Sequence, residues 1–296
     1  MKISVLTPTY NRANLLEQLY KSLIANADYG IDIEWLIMDD GSKDNTEEIV
    51  NKFIHNNQSK MEIKYFKQEN SGKMTAINKL TKEATGEYMI DCDSDDYFTN
   101  DAFKIMKEKI EKSKNEENIY GLCFLKYNEK GENIGKVFTK KRTTLFDMHY
   151  KENEQGEKAI LFLSKIRKKY SHELENGEKF VTEARMYYKM DDDNDLLCFN
   201  APIMICEYKE DGYTKNLENQ FKENPFGYYK YFQEILGRNM RGSILNKRLY
   251  AIKHYILFTT LTKSKKNIRP IKDMLNKILV ILLYVPGTIM TKMKFK

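Results

Sequence analysis

The chain has 296 residues, enough for one large α/β domain plus a smaller appendage. Hydrophobic residues at 41% and charged residues at 31% are the balance of a soluble globular protein and argue against a disordered or fully membrane-embedded class. The net charge of +6 divides unevenly: from Arg238 onward 14 Lys/Arg face Asp273 alone, which leaves the first 237 residues acidic, so the basic tail suits an anionic partner such as a membrane surface or a nucleic acid.

Strand and helix signals alternate through the first hundred residues. An apolar run at 3–6 is ended by Thr7-Pro8, and Leu15, Leu16, Leu19, Leu23 and Ile24 then recur at helical spacing. Residues 33–38 predict a second strand, stopped by Asp39-Asp40-Gly41-Ser42, and Ile49, Val50 and Phe53 predict a helix. A third strand at 61–66, a polar stretch at 68–72, a helix over 73–84 and a strand at 88–90 follow. Such alternation predicts a parallel sheet wrapped by helices. Ligands bind beyond the carboxyl ends of such strands. The polar clusters at 7–12, 39–44, 70–73 and 91–96 fall at those ends, so they are expected to meet at one edge. Later strand candidates are 122–127, 159–163, 196–199 and 204–208, with a helix over 182–190; beyond 214 the chain reads helical and basic.

Asp91-Cys92-Asp93-Ser94-Asp95-Asp96 places four carboxylates in six residues, an arrangement that self-repulsion disfavours unless a cation offsets it. Mg²⁺ or Mn²⁺ takes one or two carboxylates and completes its shell with phosphate oxygens, and a D-x-D turn can aim two acids at one ion. By contrast, Asp191-Asp192-Asp193-Asn194-Asp195 lacks the glycine and the final glutamate of a calcium loop, with Leu196 and Pro202 at those places, and reads as a solvated turn. Cys92, Cys123, Cys198 and Cys206 form no CxxC pair or zinc spacing and read as buried free thiols of a reducing compartment.

Four blocks together resemble family 2 glycosyltransferases: Thr7-Pro8-Thr9-Tyr10-Asn11-Arg12, Met38 to Thr46, Glu69-Asn70-Ser71-Gly72-Lys73, and Gly86-Glu87-Tyr88 leading to Asp93-Ser94-Asp95-Asp96. The resemblance is strong over 1–100 and looser over 100–212. It implies an α/β fold of the GT-A type, a Rossmann-like mixed sheet, over residues 1–215, with a basic helical region at 216–296. It implies an inverting, metal-dependent transfer of a sugar from a nucleotide-diphosphate donor, UDP by family frequency, to a glycan or lipid-linked acceptor in cell-surface polysaccharide synthesis.

Residue by residue, the resemblance assigns Pro8, Thr9, Tyr10 and Asp40 to the nucleotide base, with Asp40 accepting the uracil imide hydrogen. Arg12 would approach the pyrophosphate or brace the turn. Gly72 and Lys73 would approach ribose or phosphates, and Ser94 lies within the donor-binding run. Asp93 would meet the ribose or metal-bound water, and Asp95 would hold Mn²⁺ or Mg²⁺ directly. Glu183, opening a helix after a short strand, would be the base, with Asp211 next in line. The loop 207–213 resembles one that closes over the donor. A nucleotidyltransferase is the runner-up reading, disfavoured because 7–12 holds no glycine for a phosphate loop.

The tail offers a second alternative, single-strand nucleic-acid binding through Tyr250, Tyr255 and Phe258; its long apolar runs weigh against it, and no nucleic-acid partner is expected. After Pro270, residues Ile271, Met274, Leu275, Ile278, Leu279, Leu282 and Leu283 share one helical face, and Pro286-Gly287 is expected to end the helix. The apolar stretch at 278–290 would reach about 20 Å, against roughly 30 Å of hydrocarbon. The expectation is a protein of the cytoplasmic side, peripheral on the inner face of the cell membrane, held through its tail on anionic lipid. A partner chain or an oligomer interface at the tail stays open.

Overall fold

The computed structural model describes residues 1–154, 156–206 and 217–295. Strands and helices alternate as β1 (Lys2–Thr9), α1 (Ala13–Ala25), β2 (Asp32–Asp39), α2 (Thr46–Asn56), β3 (Glu62–Lys67), α3 (Lys73–Glu83) and β4 (Tyr88–Asp91). The chain continues through β5 (Asp96–Phe98), α4 (Ala102–Lys112), β6 (Ile119–Asn128), β7 (Arg142–Thr143), α5 (Leu145–Tyr150), β8 (Lys158–Leu163), α6 (Ser164–Arg167), α7 (Ala184–Met190) and β9 (Asp195–Cys206). Helices α8 (Leu217–Glu223), α9 (Pro225–Gly237), α10 (Leu245–Leu261) and α11 (Met274–Lys294) close the described chain.

Among the described residues one mixed sheet runs β3-β2-β1-β4-β8-β6-β9-β5, with β7 paired to β9. The first four strands are parallel, as the alternation predicts, whereas β8 runs antiparallel to both β4 and β6. β1 is buried at every position from Ile3 to Thr9, as a central parallel strand covered on both faces must be.

Pro8 does not end β1. Thr9 O accepts from Asp40 N toward β2, and Leu6 O accepts from Cys92 N toward β4, so successive residues bond to opposite neighbours. The N–H that Pro8 lacks would therefore face β4, whose pairing stops at Leu6–Asp91. The two strand candidates at 196–199 and 204–208 are likewise one strand, β9, and its register against β6 shifts between Phe199 and Pro202, where a bulge absorbs the proline. Residues 207 and 208 of the second candidate lie outside the described residues.

Apolar side chains form one core of Val5, Leu16, Leu19, Trp35 and Phe103, and another that joins Tyr120, Phe146 and Phe162 to Phe232, Tyr255 and Phe258. The second core spans both sides of the expected boundary at 215, so the tail packs on the same sheet. Tyr255 and Phe258 are fully buried in it, which removes two of the three aromatics a nucleic-acid surface would need. All four cysteines are free and buried, as expected.

The tail helix departs from expectation at both ends. It begins at Met274, where the Asp273 side chain accepts from Asn276 N at 3.1 Å, instead of at Pro270. It also runs through Pro286 to Lys294. Pro286 faces solvent, and Gly287 lets α10 approach closely, since a Cβ there would sit 2.9 Å from Ile256 Cγ2. Packing on α10 outweighs the one backbone bond a proline removes. The resulting 21 residues are long and apolar enough to cross a membrane by length and composition, which corrects the shorter reach expected above.

Candidate active site

The carboxyl ends of β1, β2 and β4 open on one cavity of about 1510 Å³. The turn after β1 is tied to the loop after β2. Asn11, in the left-handed region at φ 51°, receives Lys43 N on its Oδ1 at 2.8 Å and donates its own N–H to Ser42 Oγ at 2.9 Å. Asp44 Oδ2 accepts from Ala13 N at 3.1 Å. These bonds leave Tyr10 at the cavity rim with 42% of its surface exposed, free to present a ring face.

Asp40 is buried and accepts from Gln68 Nε2 at 2.6 Å and from Ser71 N and Gly72 N at 2.8 Å each. It therefore shapes the 70–72 turn while lining the cavity, and its carboxylate retains acceptor capacity for a further donor. Gly72, at φ 92°, must be glycine for two reasons: that conformation is left-handed, and a Cβ would collide with the Lys179 carbonyl. The close approach it permits is thus to the chain's own 179 segment.

That segment carries the expected base. Glu178 accepts from Phe226 N and Gly227 N at 2.7 Å each, at the N-terminus of α9, and Lys179 Nζ donates to Asn70 O at 2.9 Å. Clamped on both sides, the segment delivers Glu183 to the cavity as the residue that opens α7. No strand precedes it; residues 178–183 are irregular, held by those side-chain bonds instead of by a ladder. The helix itself is shorter than the 182–190 expected.

Lys73, first residue of α3, sits between two acids: its Nζ lies 2.6 Å from Asp93 Oδ2 and 2.8 Å from Glu183 Oε1. Arg12 donates to Asp95 Oδ2 at 2.7 Å. Lys73's charge holds the Glu183 carboxyl below its ordinary value, against burial, so Glu183 is ionised at neutral pH. Burial works against charge on Lys73 too, but Asp93 and Glu183 outweigh it and keep the ammonium protonated. The rest of the acidic run is crowded. Burial, then Asp93, raises Asp95; burial raises Asp91; and burial pushes Asp96 up to about 6 although Lys126 lies 2.9 Å away.

Every residue assigned from the sequence, namely Pro8, Thr9, Tyr10, Arg12, Asp40, Gly72, Lys73, Asp93, Ser94, Asp95 and Glu183, lines this cavity. Asp211 and the loop 207–213 lie outside the described residues. Among the described residues no group of three His, Cys, Asp or Glu side chains is arranged to hold a metal. Asp93 and Asp95, two hard oxygen donors in an excess of negative charge, fit a cation that draws its remaining ligands from phosphate and water.

A layer behind Glu183 escaped the sequence reading. Asp91 accepts from Tyr187 Oη at 3.4 Å and lies 3.9 Å from the fully buried Arg167, with His172 beside Tyr187. Burial, reinforced by Arg167 and Lys73, drives His172 well below its ordinary value and keeps it neutral. Only Asp91 had a visible signal, as the first acid of the run; Arg167 and His172 stand in no motif. The 191–195 turn also differs in part: it is a turn, but Asp191 is half-buried, accepting from Leu145 N, Phe146 N and Tyr120 Oη.

A mixed sheet that gathers the turn after β1, a D-x-D run and a carboxylate from a later helix at one edge has the architecture of GT-A nucleotide-sugar transferases. The family Glycosyl transferase family 2 matches residues 4–174, and the chain belongs to that family. An uncharacterized glycosyltransferase of Mycoplasma genitalium, MG060, is 34% identical over 131 residues, 43% of this chain and 44% of that protein. The chain's match thus spans less than half the length of that relative. The GalNAc(5)-diNAcBac-PP-undecaprenol beta-1,3-glucosyltransferase of Campylobacter jejuni is 25% identical over 98% of this chain and 92% of its own. In fold, the chain is similar to Staphylococcus aureus TarS 1-349 in complex with UDP-GlcNAc, with TM-score 0.59, 20% identity, and coverage of 98% of this chain and 81% of that one. It is also similar to the mannosyltransferase PcManGT of Pyrobaculum calidifontis in complex with GDP-Man and Mn²⁺, with TM-score 0.58, 14% identity, and coverage of 98% and 83%.

Proposed function

We propose that this protein is an inverting, metal-dependent glycosyltransferase that moves a sugar from a nucleotide-diphosphate donor, a UDP-sugar, to a glycan or lipid-linked acceptor in cell-surface polysaccharide synthesis. The observation that carries the reading is the convergence of the Asp93/Asp95 pair and Glu183, distant from it in the chain, on one cavity whose other wall is Pro8, Tyr10 and Asp40. Tyr10 offers its ring to the base and Asp40 its remaining acceptor capacity to a base N–H. Asp93 and Asp95 would hold Mn²⁺ or Mg²⁺. When bound, the cation acts as a Lewis acid toward the charge that develops on the leaving diphosphate. Glu183, ionised, accepts the acceptor hydroxyl proton as that oxygen bonds to the sugar carbon, a contribution of roughly 10²–10⁴-fold. The donor complexes of the two similar folds and the lipid-linked substrate in the Campylobacter protein's name support this assignment.

Helix α11 supports a peripheral position on the inner face of the membrane. Met274, Leu282, Val285, Met290 and Met293 are each at least 65% exposed, and Lys263, Lys265, Lys266, Arg269 and Lys292 lie nearby in the chain. Each such cation contributes about 1 kcal/mol near an anionic leaflet. Arg248, 2.8 Å from Asp273, and Glu218, 2.5 Å from Lys294, tie both ends of the helix to the body, which favours a helix lying on the surface over one that spans.

Purified protein is to be incubated with Mn²⁺ or Mg²⁺ and a panel of UDP-, GDP- and dTDP-sugars, and the released nucleoside diphosphate measured. Release from one donor, abolished by EDTA and by Asp95→Asn, is expected. Activity undiminished in metal-free buffer sinks the metal-dependent mechanism, and no release from any donor sinks the transferase reading.

A further inference from the structure

Both carboxylates of the D-x-D run already hold a cation of the chain's own. Arg12 reaches Asp95 at 2.7 Å from the turn after β1, and Lys73 reaches Asp93 at 2.6 Å from the start of α3. Lys73 also reaches Glu183 at 2.8 Å, and an ammonium with three donors can serve both acids at once. These pairs cannot persist unchanged once a divalent cation takes the same oxygens. Their lone pairs would be claimed, and a cation a few ångströms from an ammonium or guanidinium is repelled. A diphosphate offers both side chains replacement oxygens, and guanidinium and ammonium groups are its usual protein partners.

We propose that Arg12 and Lys73 are counter-ions that occupy Asp95 and Asp93 until a nucleoside diphosphate draws them off, so that nucleotide and divalent cation each bind with the other's help. The proposal rests on the donor site assigned above. Lys73 carries the event further: the side chain that leaves Asp93 is the one that holds Glu183, so donor arrival and the freeing of the base are a single movement. Lys73 thereby acts as a positioning residue for Glu183 as well as a phosphate ligand. An acceptor hydroxyl, or a stray water, then meets an unclaimed carboxylate only when a donor is in place.

Thermodynamic reciprocity makes this measurable without turnover. Calorimetric titration of Mn²⁺ into the full-length protein without nucleotide is expected to show weak binding. Lys73→Met and Arg12→Met should each tighten it, on the order of tenfold, and each should weaken UDP binding measured in EDTA. Lys73→Arg, which keeps the charge, should leave Mn²⁺ affinity near wild type. A side chain that merely braced the fold would leave metal affinity unchanged or lower it on removal. Unchanged or weaker Mn²⁺ binding in the folded variants overturns the proposal. Removing Lys73 strands two acids and could unfold the protein; Arg12→Met, at a side chain 22% exposed, then decides alone. A protein that shows the Mn²⁺ response yet releases nucleotide from no donor sugar keeps this inference and loses the transferase reading. Sugar transfer without the response does the reverse.

Discussion

Helices α1 and α11 are both rich in apolar side chains, yet they turn them in opposite directions. In α1, Leu16, Leu19 and Leu23 face the sheet and are fully buried, with Glu17 and Lys21 paired at 2.7 Å on the outside. In α11 the stripe against the body is Asn276, Leu279, Val280, Tyr284, Gly287 and Thr291, while Met274, Leu282, Val285, Met290 and Met293 face out. The buried polar groups are satisfied: Asn276 accepts from Arg248 at 2.9 Å, and Thr291 Oγ1 donates to the Gly287 carbonyl at 2.9 Å. This mixed stripe buries less apolar surface than the leucines of α1, and hydrophobic stabilisation scales with that area at about 25 cal/mol per Å². The first region hides its apolar surface to hold a site rigid; the second leaves it exposed, where it is available to a membrane. Burial, more than apolarity, separates a scaffold helix from a contact helix.

The largest effect is expected at the site the first region supports. Glu183→Gln should lower turnover by about 10²–10⁴-fold, because proton removal counts only in the transition state, while UDP affinity holds or rises as Lys73 loses one of its two counter-ions. Near-normal turnover would move the base elsewhere, to Asp211 first.

The rigidity of the first region can be tested at the far end of its sheet. Glu34 is fully buried in β2. Burial opposes its charge, but Lys64, Ser4 and Thr85 outweigh it and bring its carboxyl down to about 2. A depressed value means the unfolded chain binds the proton first as pH falls. Glu34's contribution is therefore full above pH 4.5 and is lost as the pH falls toward 2. Glu34→Gln should cost on the order of 2 kcal/mol at pH 7 in urea unfolding, with the gap to wild type closing below pH 4. A gap undiminished from pH 7 down to pH 2 would mean that packing, not charge, is what the residue supplies.

The smallest effect belongs to the tail. Leu282→Ser with Met290→Ser alters only side chains 67% and 68% exposed, so stability and donor release in solution should hold. Flotation with anionic vesicles should fall several-fold, following the apolar area withdrawn from the interface. Undiminished flotation would assign α11 to a protein partner or to none.

The spacing of apolar residues and the four polar blocks were enough to predict strands and helices through the first hundred residues. Parallel strands leave their polar ends on one edge whatever the details of packing, so Asp40, Asp93 and Asp95 could be placed together from the sequence. Glu183 needed the family resemblance, and nothing local could show that Lys73 would bridge it to Asp93, because that contact depends on where the 178–183 segment is clamped. Arg167 and His172 were invisible for the same reason: a buried charge or a buried neutral imidazole is defined by its neighbours, not by its position in a motif. Local rules also misjudged Pro8 and Pro286. A proline stops a strand only where its missing N–H has a partner to lose, and β4 had left the Pro8 side open; in α11 the bond lost at Pro286 is offset by packing on α10, which no local rule can see.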